Sequence, residues 1–149
     1  DIIARQQPVA SDLRALITAL RMSADLERMG DLAHHVAKIV RLRHPEPAVP
    51  DAVVHLVEAM GVAAEKIATK TGVVISTRDT VMAAQVEKDD DEMDLLHRQL
   101  ISALIAPSWE HGVETAIDLT LLGRYYERYA DHAVSVSRRV IFLVTGKFA

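Results

Sequence analysis

The chain has 149 residues, half of them hydrophobic and only 4% aromatic, with a formal net charge of −4. That length holds one compact core or two small helical units, and a mildly acidic chain without a basic stripe argues against nucleic acid as a partner. The absence of cysteine excludes a disulfide scaffold, a zinc–thiolate centre and a cysteine nucleophile, while no apolar run approaches the roughly 18 residues that span a bilayer.

Prolines punctuate the sequence at Pro8, at Pro45, Pro47 and Pro50, and at Pro107. Because proline breaks helix interiors, these positions divide the chain into helical stretches. The first is expected from about Pro8 to Leu42, with Leu16, Leu20, Ser23, Gly30, Ala33, Ala37 and Val40 tracing one face at steps of three and four. The segment from His44 to Pro50 reads as a stiff linker. A second helix runs from about Asp51 to Ser76 with Val53, Val57, Met60, Ala64, Ile67 and Val74 in register; its end is rich in β-branched residues, which weakens helix propensity. A third runs from about Asp79, a candidate N-cap, to Ile105, with a stripe of Met82, Val86, Asp89, Met93, Leu96, Leu100 and Ala103. A fourth runs from about Ser108, a second candidate cap, to Thr145, with Gly146 as its stop. No segment alternates long enough to read as a strand, so the fold class is all-α.

An internal repeat is the most informative feature. Glu27-Arg28-Met29-Gly30-Asp31-Leu32-Ala33 matches Glu127-Arg128-Tyr129-Ala130-Asp131-His132-Ala133 at a constant offset of 100, and Ile17/Ile117, Val36/Val136 and Val40/Val140 extend it. Two signals travel with the repeat. One is a row of small residues: Ser23, Gly30, Ala33 and Ala37 in the first copy, Gly123, Ala130, Ala133 and Ser137 in the second. Such a row lets a neighbouring helix approach closely. The other is a pair of acids four residues apart, Glu27/Asp31 and Glu127/Asp131, which share a helical face and repel by about a few tenths of a kcal/mol if solvated.

The third helix adds Glu87, Asp89, Asp90, Asp91, Glu92 and Asp94. If the third and fourth helices are antiparallel, Asp90/Asp94 can face Glu127/Asp131, a four-carboxylate layout like that of metal sites in helical bundles. A hard divalent cation would compensate the acids. Arg28 and Arg128 directly follow the glutamates and are expected to point elsewhere. The bland reading of each acidic pair is a solvated face. His97 and His132 read as surface or boundary histidines, and the five methionines as core filler. Trp109, Tyr125, Tyr126 and Tyr129 are candidates for a partner-facing patch, with Tyr126 equally a core residue.

These residues resemble a known family. Arg5-Gln6-Gln7-Pro8-Val9-Ala10-Ser11-Asp12-Leu13-Arg14, Ser23 to Asp31, Glu127 to Ala133, Asp90-Asp91-Glu92-Met93-Asp94-Leu95-Leu96 and the closing Val144-Thr145-Gly146 are similar to PhoU-type phosphate-signalling regulators across essentially the whole chain. The resemblance implies a fold of tandem three-helix bundles. Residues 1–44 would be the last helix of the first bundle, 45–50 a linker and 51–149 the complete second bundle, so that two N-terminal helices are missing ahead of Asp1. It implies a cytoplasmic, non-enzymatic negative regulator of the phosphate-starvation response. Such a protein bridges a phosphate-sensing histidine kinase and the phosphate-specific ABC transporter, and homodimerises. Carried over residue by residue, the family's acidic metal-binding motif falls on Glu27, Asp31, Asp90, Asp94, Glu127 and Asp131, for magnesium, manganese, iron or zinc. Tyr125, Ser135, Leu32 and His35 depart from the family's usual choices. The rival readings are a carboxylate-bridged metal-dependent enzyme, for which only Asp94-Leu95-Leu96-His97 has the spacing of a Glu-x-x-His motif, and a structural homodimer pairing its small-residue faces.

Overall fold

A computed structural model describes residues 10–147. It contains four helices, α1 (Ala10–Arg43), α2 (Asp51–Thr77), α3 (Thr80–Ile105) and α4 (Gly112–Thr145). Pro8 and its neighbours lie outside the described residues. Asp79 caps α3 as its sequence position suggests, accepting from the backbone N–H of Val81 at 2.9 Å and of Met82 at 3.0 Å. Gly146 stops α4 in the left-handed region at φ 73°. The β-branched end of α2 remains helical because packing outweighs propensity. Thr71 and Val74 are buried there, and Thr71, Ser76 and Thr77 turn their hydroxyls back onto carbonyls one turn earlier.

Ser108 does not cap the last helix. Residues 107–111 form a turn and α4 begins at Gly112, where the Trp109 indole N–H donates to the Gly112 carbonyl at 2.9 Å. The indole bond anchors this corner, and the chain enters the helix three residues later than the proline–serine pair predicts.

Three helices supply most of one apolar core, which Met29 of α1 joins. Met60, Ile67 and Val74 of α2, Val86, Met93 and Leu100 of α3, and Leu119, Ala130, Ala133 and Val140 of α4 are buried together. Ion pairs staple α2 to α3: Lys70 Nζ lies 2.6 Å and Lys66 Nζ 3.2 Å from the buried Asp89 carboxylate. Burial pushes this carboxyl up, but the two lysines and Gln85 outweigh it and hold Asp89 below its ordinary value. α4 also packs on α1, which makes no close backbone approach to α2 or α3.

The small-residue row behaves differently in its two copies. In α4 it is buried, and a Cβ at Gly123 would sit 3.0 Å from Leu100 and 3.1 Å from His97, so α3 approaches as closely as a bare backbone allows. In α1 Gly30 has nothing within 4 Å, and Ser23, Ala33 and Ala37 are exposed. The α1 face traced by the sequence stripe is therefore uncovered among the described residues. Leu20 is 72% and Val40 51% exposed, and the helix buries Thr18, Met29 and Leu32 instead. The repeat misleads here because α4 is covered on the row's face whereas α1 meets α4 with a different face.

The two copies pack on each other antiparallel. Early α1 lies beside late α4 through Asp25, and late α1 beside early α4 through His35, Arg43 and their partners. Adding 100 to one member of a pair and subtracting it from the other converts Asp25···Ser135 into Tyr125···His35, both real contacts. The interface thus has a pseudo-dyad, as a duplicated surface pairing with itself must. Its two halves have diverged. Asp25 accepts from Ser135 Oγ at 3.0 Å and Arg139 Nε at 3.3 Å and bonds His132 Nδ1 at 2.9 Å. At the related position His35 stacks on Tyr125 with centroids 5.2 Å apart. Beyond that stack, Arg43 clamps α1 to Asp118 at 2.6 Å and to Glu114.

Two stability measurements check this account. Gly30→Ala is expected to stabilise by about 0.5–1 kcal/mol through helix propensity in open space, whereas Gly123→Val is expected to cost about 2 kcal/mol or more by overpacking α3. Denaturant titration of both variants would show opposite shifts in midpoint. Asp25→Ala strands His132 and Arg139 at the α1–α4 interface and is expected to cost about 2 kcal/mol in the same assay, with Asp25→Asn costing less because one acceptor remains.

Candidate functional site

The α3–α4 pairing brings acids from both helices together half-way along the bundle. Burial, then Asp94, Asp131, Asp91 and Glu127 in that order, push the Asp90 carboxyl up to about 6 from its ordinary 3.8. Glu127 is likewise raised, by burial and by Asp131, against the opposing pull of Arg124 and His97. The cluster therefore consists of Asp90 and Asp94 on one helix and Glu127 and Asp131 on the other. It is assembled because α3 and α4 run antiparallel and Gly123 lets them close.

The outer side of the cluster has partial compensation. Arg124 donates to Glu127 at 2.7 Å, and Arg128 reaches Asp131 at 3.5 Å, both across three residues of the same helix. In the first copy Arg28 lies 3.8 Å from Asp31. The sequence-based expectation that Arg28 and Arg128 point away is thus corrected: each sits three residues before its aspartate, a spacing that puts both on one face. The inner side is uncompensated. Asp90 Oδ1 is buried and has no hydrogen-bond partner.

Glu27 and Asp31 do not join this cluster. Both are exposed on α1, which does not approach α3. No group of three or more His, Asp or Glu side chains among the described residues is arranged closely enough to hold a metal ion as it stands. The donor set of the α3–α4 cluster nonetheless suits a hard cation, since it is all carboxylate oxygen and one oxygen is buried without a partner.

Sequence reasoning passed over the Asp25–His132–Ser135–Arg139 network, because it joins residues of two helices across the pseudo-dyad and Asp25 has no acidic counterpart in the repeat. That asymmetry, Asp25 against Tyr125, is the signal that could have found it. His132 lies at the α1–α4 boundary, as read, but as a bonded member of the network. His35 is a stacking partner of Tyr125. Met29, Met60 and Met93 are core residues, and Trp109, Tyr126 and Tyr129 pack against the core while staying half-buried.

Comparison with known proteins places this architecture. A Mycobacterium tuberculosis protein called phosphate-specific transport system accessory protein PhoU homolog 2 is 50% identical over 147 residues, covering 99% of this chain and 69% of its own length. The PhoU homolog 1 of Mycobacterium leprae is 50% identical over 147 residues, covering 99% of this chain and 66% of its own. The chain thus spans about two thirds of the length of these relatives. The crystal structure of a phosphate transport system regulatory protein PhoU from Streptococcus pneumoniae superposes with a TM-score of 0.80 at 22% identity, over 95% of this chain and 67% of that one, which establishes the shared helical-bundle fold. A family model described as the PhoU domain matches residues 1–40 and 57–140, and the duplicated acidic helix, the bundle and these relatives together make the chain a member of the PhoU family.

Proposed function

We propose that this chain is a non-enzymatic regulator of phosphate uptake: an adaptor between a phosphate-sensing histidine kinase and the phosphate-specific ABC transporter that keeps the starvation response off when phosphate is plentiful. The observation that carries the reading is 50% identity, over 99% of the chain, to relatives named as accessory proteins of the phosphate-specific transport system. No helix of the described residues is long and apolar enough to cross a membrane. In this reading the protein works in the cytoplasm as a homodimer and meets the membrane through its partners. On the family template α1 ends one three-helix bundle and α2–α4 form a second. The empty small-residue row around Gly30 supports that reading, since its counterpart in α4 is covered by two helices.

The same proposal gives the acids a task. Asp90, Asp94, Glu127 and Asp131 would hold a divalent or trivalent cation (magnesium, manganese, iron or zinc), and Glu27 with Asp31 would supply a second pair. The unpartnered Asp90 oxygen and the mutual repulsion of the cluster support it. A bound cation would remove that repulsion and tie α3 to α4, fixing the surface the partners meet. An enzymatic reading gains little from the Ser135–His132–Asp25 set. Ser135 donates to Asp25 rather than to His132, so the serine–histidine link of a catalytic triad is not formed.

Deletion of the full-length protein from its source cells is expected to switch starvation genes on in high phosphate, with a Glu127→Ala/Asp131→Ala copy failing to restore repression. Repression unaltered by deletion, with no second copy present, would refute the regulator. A pH series tests the cluster. Between about pH 4 and 6 folded Asp90 holds a proton that the unfolded chain has released, so its contribution to stability falls as pH rises through that window. Wild type should lose stability relative to Asp90→Asn across it, and manganese should abolish the difference; parallel curves for the two proteins would show that Asp90 is not strained.

A further inference from the structure

The chain contains three tyrosines, and all three line one cavity. Tyr125, Tyr126 and Tyr129 project from α4 into a cleft of about 210 Å³ closed by Leu32 and Val36 of α1 and by Glu65 of α2. Their repeat counterparts in α1 are Asp25, Leu26 and Met29, so the aromatic character belongs to this copy alone. No group among the described residues hydrogen-bonds a tyrosine hydroxyl, and burial pushes the Tyr126 and Tyr129 phenols up, which keeps them neutral. His35 stacks on the Tyr125 ring beside the cavity, with centroids 5.2 Å apart. The tip of Tyr126 reaches across to α2, where its hydroxyl lies 3.7 Å from the Cβ position of Gly61. Glu65 is the one charged residue of the lining and stands exposed at the mouth without an ion-pair partner among the described residues.

We propose that this cleft is a binding site for an organic cation, a quaternary ammonium or guanidinium head seated among Tyr125, Tyr126 and Tyr129 with Glu65 at its entrance. Aromatic faces attract cations through their quadrupole, and the attraction grows as the site is withdrawn from water. Neutral phenols leave the rings uncharged but electron-rich, and a single carboxylate at the mouth supplies the only full charge. An anion finds no cation in this lining. The site lies on the α1–α2–α4 side of the bundle and shares no residue with the α3–α4 carboxylates, so it stands or falls independently of the regulator reading.

Two sources offer the same chemistry: a small methylated amine, or the arginine side chain of a partner protein. Tetramethylammonium and methylguanidinium chlorides titrated separately into the purified protein, followed by NMR of the aromatic rings, distinguish them. The expected result is saturable movement of all three tyrosine ring resonances with half-saturation on the order of 1–10 mM, while Trp109 and Phe142 stay put. The tighter of the two probes identifies the source. Glu65→Lys, at an exposed position that leaves the fold intact, should weaken binding about tenfold, and Tyr129→Leu should weaken it further if the variant remains folded. Shifts that never saturate, shifts equalled by sodium chloride, or binding unaltered in Glu65→Lys would overturn the proposal.

Discussion

A helix in contact with every other helix must present a different chemistry on each of its faces, and α4 meets that requirement within 34 residues. Toward α3 it is small and acidic, with Gly123 and Ala130 beside Glu127 and Asp131. Toward α2 it is apolar and aromatic, through Ala133, Val140 and Tyr126. Toward α1 it carries the polar set of His132, Ser135 and Arg139. These assignments follow from the 3.6-residue period, and a shift of one residue along α4 would exchange them all. The tightest constraint is the α3 side, where a Cβ at Gly123 would crowd the Leu100 and His97 side chains at 3.0–3.1 Å. Packing at that distance is what holds four carboxylates together at half-burial.

Holding like charges together opposes folding, and the local arginines show how the chain limits the cost. Arg124 and Arg128 sit on the solvent side, three residues from the acids they neutralise, where hydration keeps their own burial cost small. Among the described residues no arginine bonds Asp90, which bears the consequence. A carboxylate left uncompensated beside like charges is where a binding function most economically sits, because the energy recovered on binding is already stored.

The helices were legible in the sequence because proline, capping residues and the 3.6-residue stripe act locally, whereas the facing of Asp90/Asp94 and Glu127/Asp131 was conditional on an antiparallel α3–α4 pair. Asp79 and Gly146 are read correctly from their own neighbours. The repeat located the acidic pairs but overreached in α1, since a shared sequence does not guarantee a shared neighbour: Gly30 and Ala130 occupy matching positions and only one is covered. Ser108 misled because the Trp109–Gly112 bond, a local tertiary feature, delays the helix. The Asp25 network and the tyrosine cleft were invisible for a common reason. Each depends on how two distant helices cross, and no periodicity within one helix encodes that. Tyr125, Tyr126 and Tyr129 could be singled out as unusual, but their convergence on Glu65 required the position of α2.

The α1–α4 contact differs in kind from the rest of the molecule. The α2–α3–α4 core is apolar, whereas α1 contributes few buried residues, and its contact with α4 includes the Asp25 network and the Arg43 clamp. Polar fastenings exchange readily for water, and apolar ones do not. A long helix fastened at points along its length and otherwise uncovered is a lever, and whatever grips its free face gains purchase on α4 and on the acids that α4 carries.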